Sequence, residues 1–364
     1  MKKFAFLVHL RSSYRKDLAL MAPPLGWVPD SVYRYALRNR PLPPFVWSEV
    51  KLRPEATEAE GYIIMVPYSG QQLLEQQKAM LPRIDQALEL AASKGAEIVG
   101  LGALTSPITL GGKLLLNNPH VSITNGNAYT AVITFQRISE LIRQSSSYSP
   151  KVALVGATGS VGSLVSLLLA KHHPEAQYLL MARNERKIVQ LEKEMKATNP
   201  FCSTTTSLDI NDVRQADIVV LLTSASDCIL QGEHLKHGAI VLDDTQPRNT
   251  NPDIVKQRPD VTIIDGGLVS VPNLQLTRSI GLPRGLSYAC LAETMLLAQA
   301  GYKGHFSVGN PTLNQAEYIA HVGNNFAHLG FGVAPDHSFG KLILPSAPQA
   351  KQVAFEEGFS LQVA

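Results

Sequence analysis

Cysteine is scarce in this chain of 364 residues: only Cys202, Cys228 and Cys290 are present. They lie far apart, with no CxxC or CxxH spacing, which argues against a zinc cluster and a disulfide framework and makes a reducing cytoplasm the expected compartment. Charge of one sign is scarce too. The net charge is +3, and no Lys/Arg stripe interleaved with aromatics could track a phosphate backbone, so nucleic acid is not an expected partner. No apolar run approaches the roughly 18 residues of a membrane span. KLLLNNP and AETMLLAQAG are short and flanked by polar residues, which leaves at most peripheral membrane contact. The opening MKKFAFLVHL starts like a signal peptide, but His9 and Arg11 interrupt it before it reaches the length of an h-region. It reads as a first strand. The ten histidines form no HxxxH pair with acidic partners, so no metal site is expected. There is no repeat of fixed period.

What is present is globular. Hydrophobic residues make up 45% and charged residues 17% of the chain, and the length suits two α/β domains, each with its own core. FAFLVHL, GYIIMVPY and AEIVGLGALTS read as strands of the first block. A helical pattern runs from Gln71 to Lys94 and a second is AYTAVITFQRISELIRQ. Between Met21 and Pro54 prolines and aromatics are too dense for regular structure, and this segment is expected to lie over the domain as a cover. The polar, Pro-terminated QSSSYSP, Gln144 to Pro150, marks a boundary. After it KVALVGA, QYLLMAR, STTTSLD, DIVVLLTS, AIVLDDT and VTIIDGG alternate with helical patterns, the signature of a doubly wound parallel sheet. The expected architecture is therefore α/β: a substrate domain over 1–146, a Rossmann NADPH-binding domain over 147–285, and C-terminal helices plus an irregular tail over 286–364.

KVALVGATGSVGSLVSLLLAK reads as strand, turn and helix. Gly156 permits the tight turn, Gly159 lets backbone approach a pyrophosphate, Gly162 lets helix and strand pack closely, and the helix start offers N–H groups to phosphate. The loop residues Thr158, Ser160 and Val161 join the glycines as candidate cofactor contacts. The spacing is GxxGxxG, and its place at the head of a β/α series is what gives it weight. About 20 residues further on, an NAD site usually places an acid. Here LLMARNERK puts Arg183 and Asn184. A guanidinium accepts a 2′-phosphate that a carboxylate would repel, so NADPH is the expected cofactor. Thr223 and Ser224 end the fourth strand at the carboxyl edge of the sheet, where they are either further candidate contacts or ordinary polar loop residues.

In GLSYACLAETMLLAQAG, Ser287 is the expected N-cap and Cys290 falls at N3, where the dipole and free N–H groups would lower a thiol pKa. The competing reading is a small buried hydrophobe. Cys202 and Cys228 lack this context. The chain resembles the cyanobacterial-type long-chain acyl-[acyl-carrier-protein] reductases, NADPH-dependent enzymes that reduce fatty acyl thioesters to aldehydes. The blocks that carry the resemblance are GLGALTS with ITNGNAYTA, VALVGATGSVGS with LLMARNERK, IIDGGLV, and YACLAETMLLAQAGY with HFSVG. It implies that Cys290 is the acyl-accepting nucleophile, that GATGSVG binds NADPH, and that the substrate is a long-chain acyl thioester, with acyl carrier protein as a candidate partner. The chain departs from the pattern at DDTQPRN, at Leu291 after the cysteine, and in its tail. His305 is a weak candidate proton donor. Thr105 and Ser106, or Asn125 and Asn127, are candidate lining for the acyl site, with turn and helix capping as the alternative. An oxidoreductase of a smaller carbonyl substrate and a non-catalytic NADPH-binding protein remain alternatives.

Overall fold

The structure, a computed structural model, describes residues 2–10, 14–39, 42–223, 228–246 and 248–343. Ser224 and the tail beyond 343 lie outside the described residues.

The second half builds a six-stranded, wholly parallel sheet from Lys151–Val155, Gln177–Met181, Ser203–Ser207, Ile218–Leu221, Ile240–Asp243 and Thr262–Asp265. Numbered by sequence, these strands lie in the order 3-2-1-4-5-6, the doubly wound arrangement whose ligands bind beyond the carboxyl ends of the central strands. The two central strands, KVALV and IVVL, are buried along almost their whole length. That is why they read as continuous apolar runs.

The first half builds another six-stranded sheet, in the order Gln275–Leu276, Phe45–Lys51, Gly61–Ser69, Lys3–Leu10, Ala96–Leu101 and Ser122–Thr124. Its last four strands are parallel and Phe45–Lys51 is antiparallel to its neighbour. The edge strand Gln275–Leu276 arrives from beyond the second sheet and pairs with Lys51 and Val50. Side-chain alternation splits the first strand between two cores. Phe4 and Phe6 face the helices Asn127–Gln144, Ser160–His172 and Ala289–Gln299, which also cover Leu154 and Val220 of the second sheet. Ala5 and Leu7 face the helix Gln77–Ser93 on the other side. The Ala289–Gln299 helix is buried on every side, from Leu291 to Ala298, which is why its sequence shows no polar face.

Three expectations need correction. The pattern from Gln71 to Lys94 is two helices, Gly70–Glu75 and Gln77–Ser93, broken at Gln76 with φ −122° and ψ 34°. The first is closed by a capping box in which Ser69 and Gln72 satisfy each other's backbone N–H groups. The segment from Met21 to Pro54 is not irregular throughout. It holds the helix Asp30–Asn39 and the strand Phe45–Lys51, because its prolines cluster at 23–29 and 41–44 and leave both stretches clear. The chain after Gly330 also contributes structure, for Gly332–Val333 pairs with Val269 and Ser270.

Candidate functional site

A cavity of about 2050 Å³ lies between the two sheets, lined by the glycine loop, the start of the cysteine helix and the cover. The loop has the shape its sequence requires. Gly156 has φ +93°, and a Cβ there would meet the backbone of Leu222 and Thr223 at 2.8 Å. A Cβ on Gly162 would fall 2.4 Å from the Gly156 carbonyl oxygen. The helix Ser160–His172 begins after Gly159 with no side-chain cap, so its first amides are available to a ligand phosphate. Thr158, Ser160 and Val161 line the cavity beside the loop glycines Gly156 and Gly159. Gly162 is buried in the helix and supports the turn from behind.

Arg183 is exposed and lines the cavity just past the strand Gln177–Met181, where a ribose substituent would lie. Asn184 also lines it, but its side-chain oxygen caps the next helix by accepting the Lys187 N–H at 3.1 Å. Thr223 borders the cavity at the carboxyl end of Ile218–Leu221.

Cys290 lines the same cavity, but its setting differs from the expectation. Ser287 belongs to the strand Leu286–Tyr288, where it pairs with Val269. Its hydroxyl donates to the Tyr288 carbonyl at 3.1 Å. The helix runs Ala289–Gln299 with Tyr288 at the N-cap position, whose side chain does not cap the helix amides, so Cys290 is its second residue. The thiol keeps some surface open to the cavity although it sits deep in the protein. Burial pushes its pKa up to about 12, and the negative charges of Glu293 and Asp244 add to the rise. The N–H groups of Leu291 and Cys290 pull the other way. The helix start does favour the thiolate, as its sequence implies, but desolvation outweighs it. Cys202 is buried and its thiol is likewise raised, to about 11. Cys228 is exposed.

Two acids that sequence reasoning passed over surround the cysteine. Glu293, one turn after Cys290, is fully buried. It accepts a short hydrogen bond from the Thr124 hydroxyl, the Gly126 N–H at 3.1 Å and the Tyr129 N–H at 2.7 Å. It therefore caps the helix Asn127–Gln144 from a distant part of the chain, a role visible in the sequence only as an acid inside an apolar helix. Burial lifts its carboxyl to about 7 against those donors. Asp244, in DDTQPRN, lines the cavity and is likewise lifted to about 7 by burial, with Asp243 adding to the rise and Thr134 opposing it. The preceding Asp243 is structural: it accepts from the backbone of Thr245, Asn249 and Thr250 and from the hydroxyls of Thr245 and Thr250. This explains the loop that DDTQPRN builds.

The other candidates divide. Asn125 holds loops together, donating to the Gly111 and Gly309 carbonyls at 3.2 and 2.8 Å and accepting from Ser307 Oγ at 2.6 Å. Asn127 Nδ2 donates to Ser160 Oγ at 2.9 Å, tying the first half to the glycine loop. Thr105 is fully buried and donates to the Gly102 carbonyl at 2.7 Å, whereas Ser106, like Asn125 and Asn127, lines the cavity. His305 Nδ1 accepts the Ile123 N–H at 3.0 Å, a role in holding the strand Ser122–Thr124. Among the described residues no group of acidic, His and Cys side chains is arranged to hold a metal, and no helix is long and apolar enough to cross a membrane.

Residues 151–264 match the semialdehyde dehydrogenase NAD-binding domain family. With the strand order and the loop just described, this defines a nicotinamide-dinucleotide-binding α/β protein of the oxidoreductase type. The chain is 27% identical to aminotransferase PigE of a Serratia species over 366 residues, covering 94% of this chain. It spans 41% of that protein's length. It is also 24% identical to the long-chain acyl-[acyl-carrier-protein] reductase of Synechococcus elongatus over 275 residues, 70% of this chain and 78% of that one. Among solved structures, quinate dehydrogenase from Corynebacterium glutamicum aligns over 71% of this chain and 86% of its own, with a TM-score of 0.35 and 13% identity.

Proposed function

We propose that this protein is an NADPH-dependent reductase that converts a fatty acyl thioester, carried by acyl carrier protein or coenzyme A, to the aldehyde through an acyl-Cys290 intermediate. The observation that carries the reading is that one cavity holds both Cys290 and the glycine loop, with an apolar wall from the first half that includes Phe6, Leu20, Trp47, Met65 and Leu104. A fatty chain would find its solvent there. The likeness to the Synechococcus reductase supports the same chemistry.

In the first step the Cys290 sulfur attacks the thioester carbonyl. The new C–S bond replaces the old one, the carrier thiol leaves with a proton, and one difficult step becomes two easier ones. When bound, the dinucleotide supplies the hydride that reduces the acyl-enzyme. The tetrahedral adduct on Cys290 then collapses to aldehyde and thiolate, and the thiolate takes up a proton. The N–H groups of Leu291 and Cys290, which already favour a negative sulfur, lie where charge develops in both steps. Arg183 selects NADPH over NADH, and Thr158, Gly159, Ser160 and Val161 hold the pyrophosphate. The raised thiol pKa favours a second reading, in which Cys290 only packs and the cavity reduces a smaller carbonyl compound.

Intact-mass measurement after incubation with long-chain acyl coenzyme A, without NADPH, tests the proposal. The expected result is an acyl adduct on the wild type that is missing in Cys290→Ala and is released as aldehyde when NADPH is added. No adduct, together with NADPH-dependent reduction of small aldehydes by Cys290→Ala, would establish the second reading instead.

A further inference from the structure

A thiol held near 12 needs a partner to take its proton, and Asp244 is placed to do so. It follows directly on the strand Ile240–Asp243, at the carboxyl edge of the second sheet, and lines the cavity that contains Cys290 and the glycine loop. Gly267 and Ala289 lie between it and the cysteine. A Cβ on Gly267 would fall 2.1 Å from Asp244 Oδ1, and the Gly267 carbonyl accepts the Ala289 N–H at 2.8 Å, one residue before Cys290. From the other side the Asn127–Gln144 helix presents Thr134, whose Oγ1 is 2.5 Å from Asp244 Oδ2 and 2.8 Å from the Thr130 carbonyl oxygen.

A hydroxyl carries one hydrogen. While Thr134 donates it to Thr130, the contact with Asp244 is made by a hydrogen on the carboxyl. When Asp244 is ionised, the Thr134 hydrogen turns to the carboxylate, where a charge-assisted bond is the stronger one. The carboxyl therefore has a partner in either protonation state, as a group that passes a proton back and forth requires. The charged groups around this pair are Asp243, whose oxygens are taken up by Thr245, Asn249 and Thr250, and Glu293 beside the thiol.

We propose that Asp244 is the proton shuttle of Cys290, acting directly or through one water in the cavity. This rests on the thioester-reductase reading. Ionised Asp244 takes the thiol hydrogen as sulfur attacks the carbonyl, then gives it to the departing carrier thiolate. Asp244, ionised again by that transfer, takes up one proton from solvent and passes it to the Cys290 thiolate after hydride transfer and collapse of the adduct, which leaves it ionised for the next turnover. Each turnover therefore consumes one solvent proton, and the hydride comes from the nicotinamide alone.

The test is the rate of Cys290 acylation by long-chain acyl coenzyme A, followed by intact mass from pH 5.5 to 9.5, with NADPH affinity read in parallel by fluorescence. The wild-type rate should rise through a limb centred near neutral pH. Asp244→Asn should lose that limb and acylate about 10²-fold more slowly at pH 7, the low end of what general acid–base groups contribute, while binding NADPH within about twofold of wild type. Thr134→Val, which leaves the carboxyl in place, should move the limb to higher pH, because the ionised form loses its donor. An Asp244→Asn protein that acylates at the wild-type rate with an unchanged profile overturns the shuttle while leaving the reductase standing, and so does a Thr134→Val limb that does not move. A wild type that binds NADPH and forms no acyl adduct at any pH overturns both.

Discussion

Replacing Glu293 by alanine separates what this acid does for the fold from what it does to the thiol. The carboxylate is fully buried and satisfies the N–H groups of Gly126 and Tyr129 together with the Thr124 hydroxyl. Without it the hydroxyl can turn elsewhere but the two amides cannot. A buried polar group left unpaired costs about 1–3 kcal/mol, which gives a gross loss of about 2–6 kcal/mol. Relief of the desolvated charge offsets part of this, for a net destabilisation of about 2–4 kcal/mol against a typical total of about 5–15 kcal/mol. Glu293→Gln keeps one acceptor oxygen and should lose about half as much. The thiol should respond in the opposite sense. Glu293 raises the Cys290 pKa through its charge, so both variants should be alkylated several-fold faster by iodoacetamide at pH 8, with the site read from peptide masses. Stability should also carry a pH signature. The folded carboxyl, lifted from 4.5 to about 7, holds a proton between those values that the unfolded chain has lost. Its contribution is therefore full below pH 4.5 and disappears as pH rises through 7, a slope that Glu293→Gln should lack. Urea unfolding at several pH values measures it. A Glu293→Ala protein within about 0.5 kcal/mol of wild type, by the same measure, would refute the reasoning, since uncapped amides should cost more.

Two further outcomes follow from the dinucleotide site. Gly162→Ala should abolish or severely weaken NADPH binding in a fluorescence titration, because its Cβ would press into the Gly156 and Ala157 carbonyls at 2.4 and 2.9 Å, backbone atoms that cannot swing aside. Arg183→Ala should weaken NADPH about tenfold or more while changing NADH affinity little, as expected for a charge-assisted contact with the 2′-phosphate of about 1.5–3 kcal/mol; equal losses for both nucleotides would remove Arg183 from the choice of cofactor.

The second sheet was legible because a parallel sheet covered on both faces writes itself as short apolar runs separated by turns, and five of its six strands fall where those runs lie; the edge strand Ser203–Ser207, STTTS, is polar and showed itself through its β-branched threonines. The glycine loop was legible for a similar reason: Gly156 and Gly162 answer local steric demands that only glycine meets. The site around Cys290 was less so. Whether a thiol at a helix start is acidic depends on burial and on acids brought in by folding, and Asp244 lies 46 residues before Cys290 in the numbering. Ser287 looked like a cap because its residue type fits one, yet the strand partner Val269 claims its backbone. The break at Gln76 and the strand Gln275–Leu276 were hidden as well. A strand of two residues has no period to read, and only its partners Val50 and Lys51 define it.

That short strand bears on how such a protein can be taken apart or recombined. The edge of the first sheet and the cysteine helix laid against it are both encoded after the second sheet, so the two sheets are interleaved along the gene rather than strung end to end. A crossover near residue 150 would pair one parent's first sheet with another parent's edge strand and cysteine helix, and successful chimaeras should be those that exchange 1–150 together with the run 275–299. Cutting the polypeptide at the same place should yield two pieces that recover activity only when mixed.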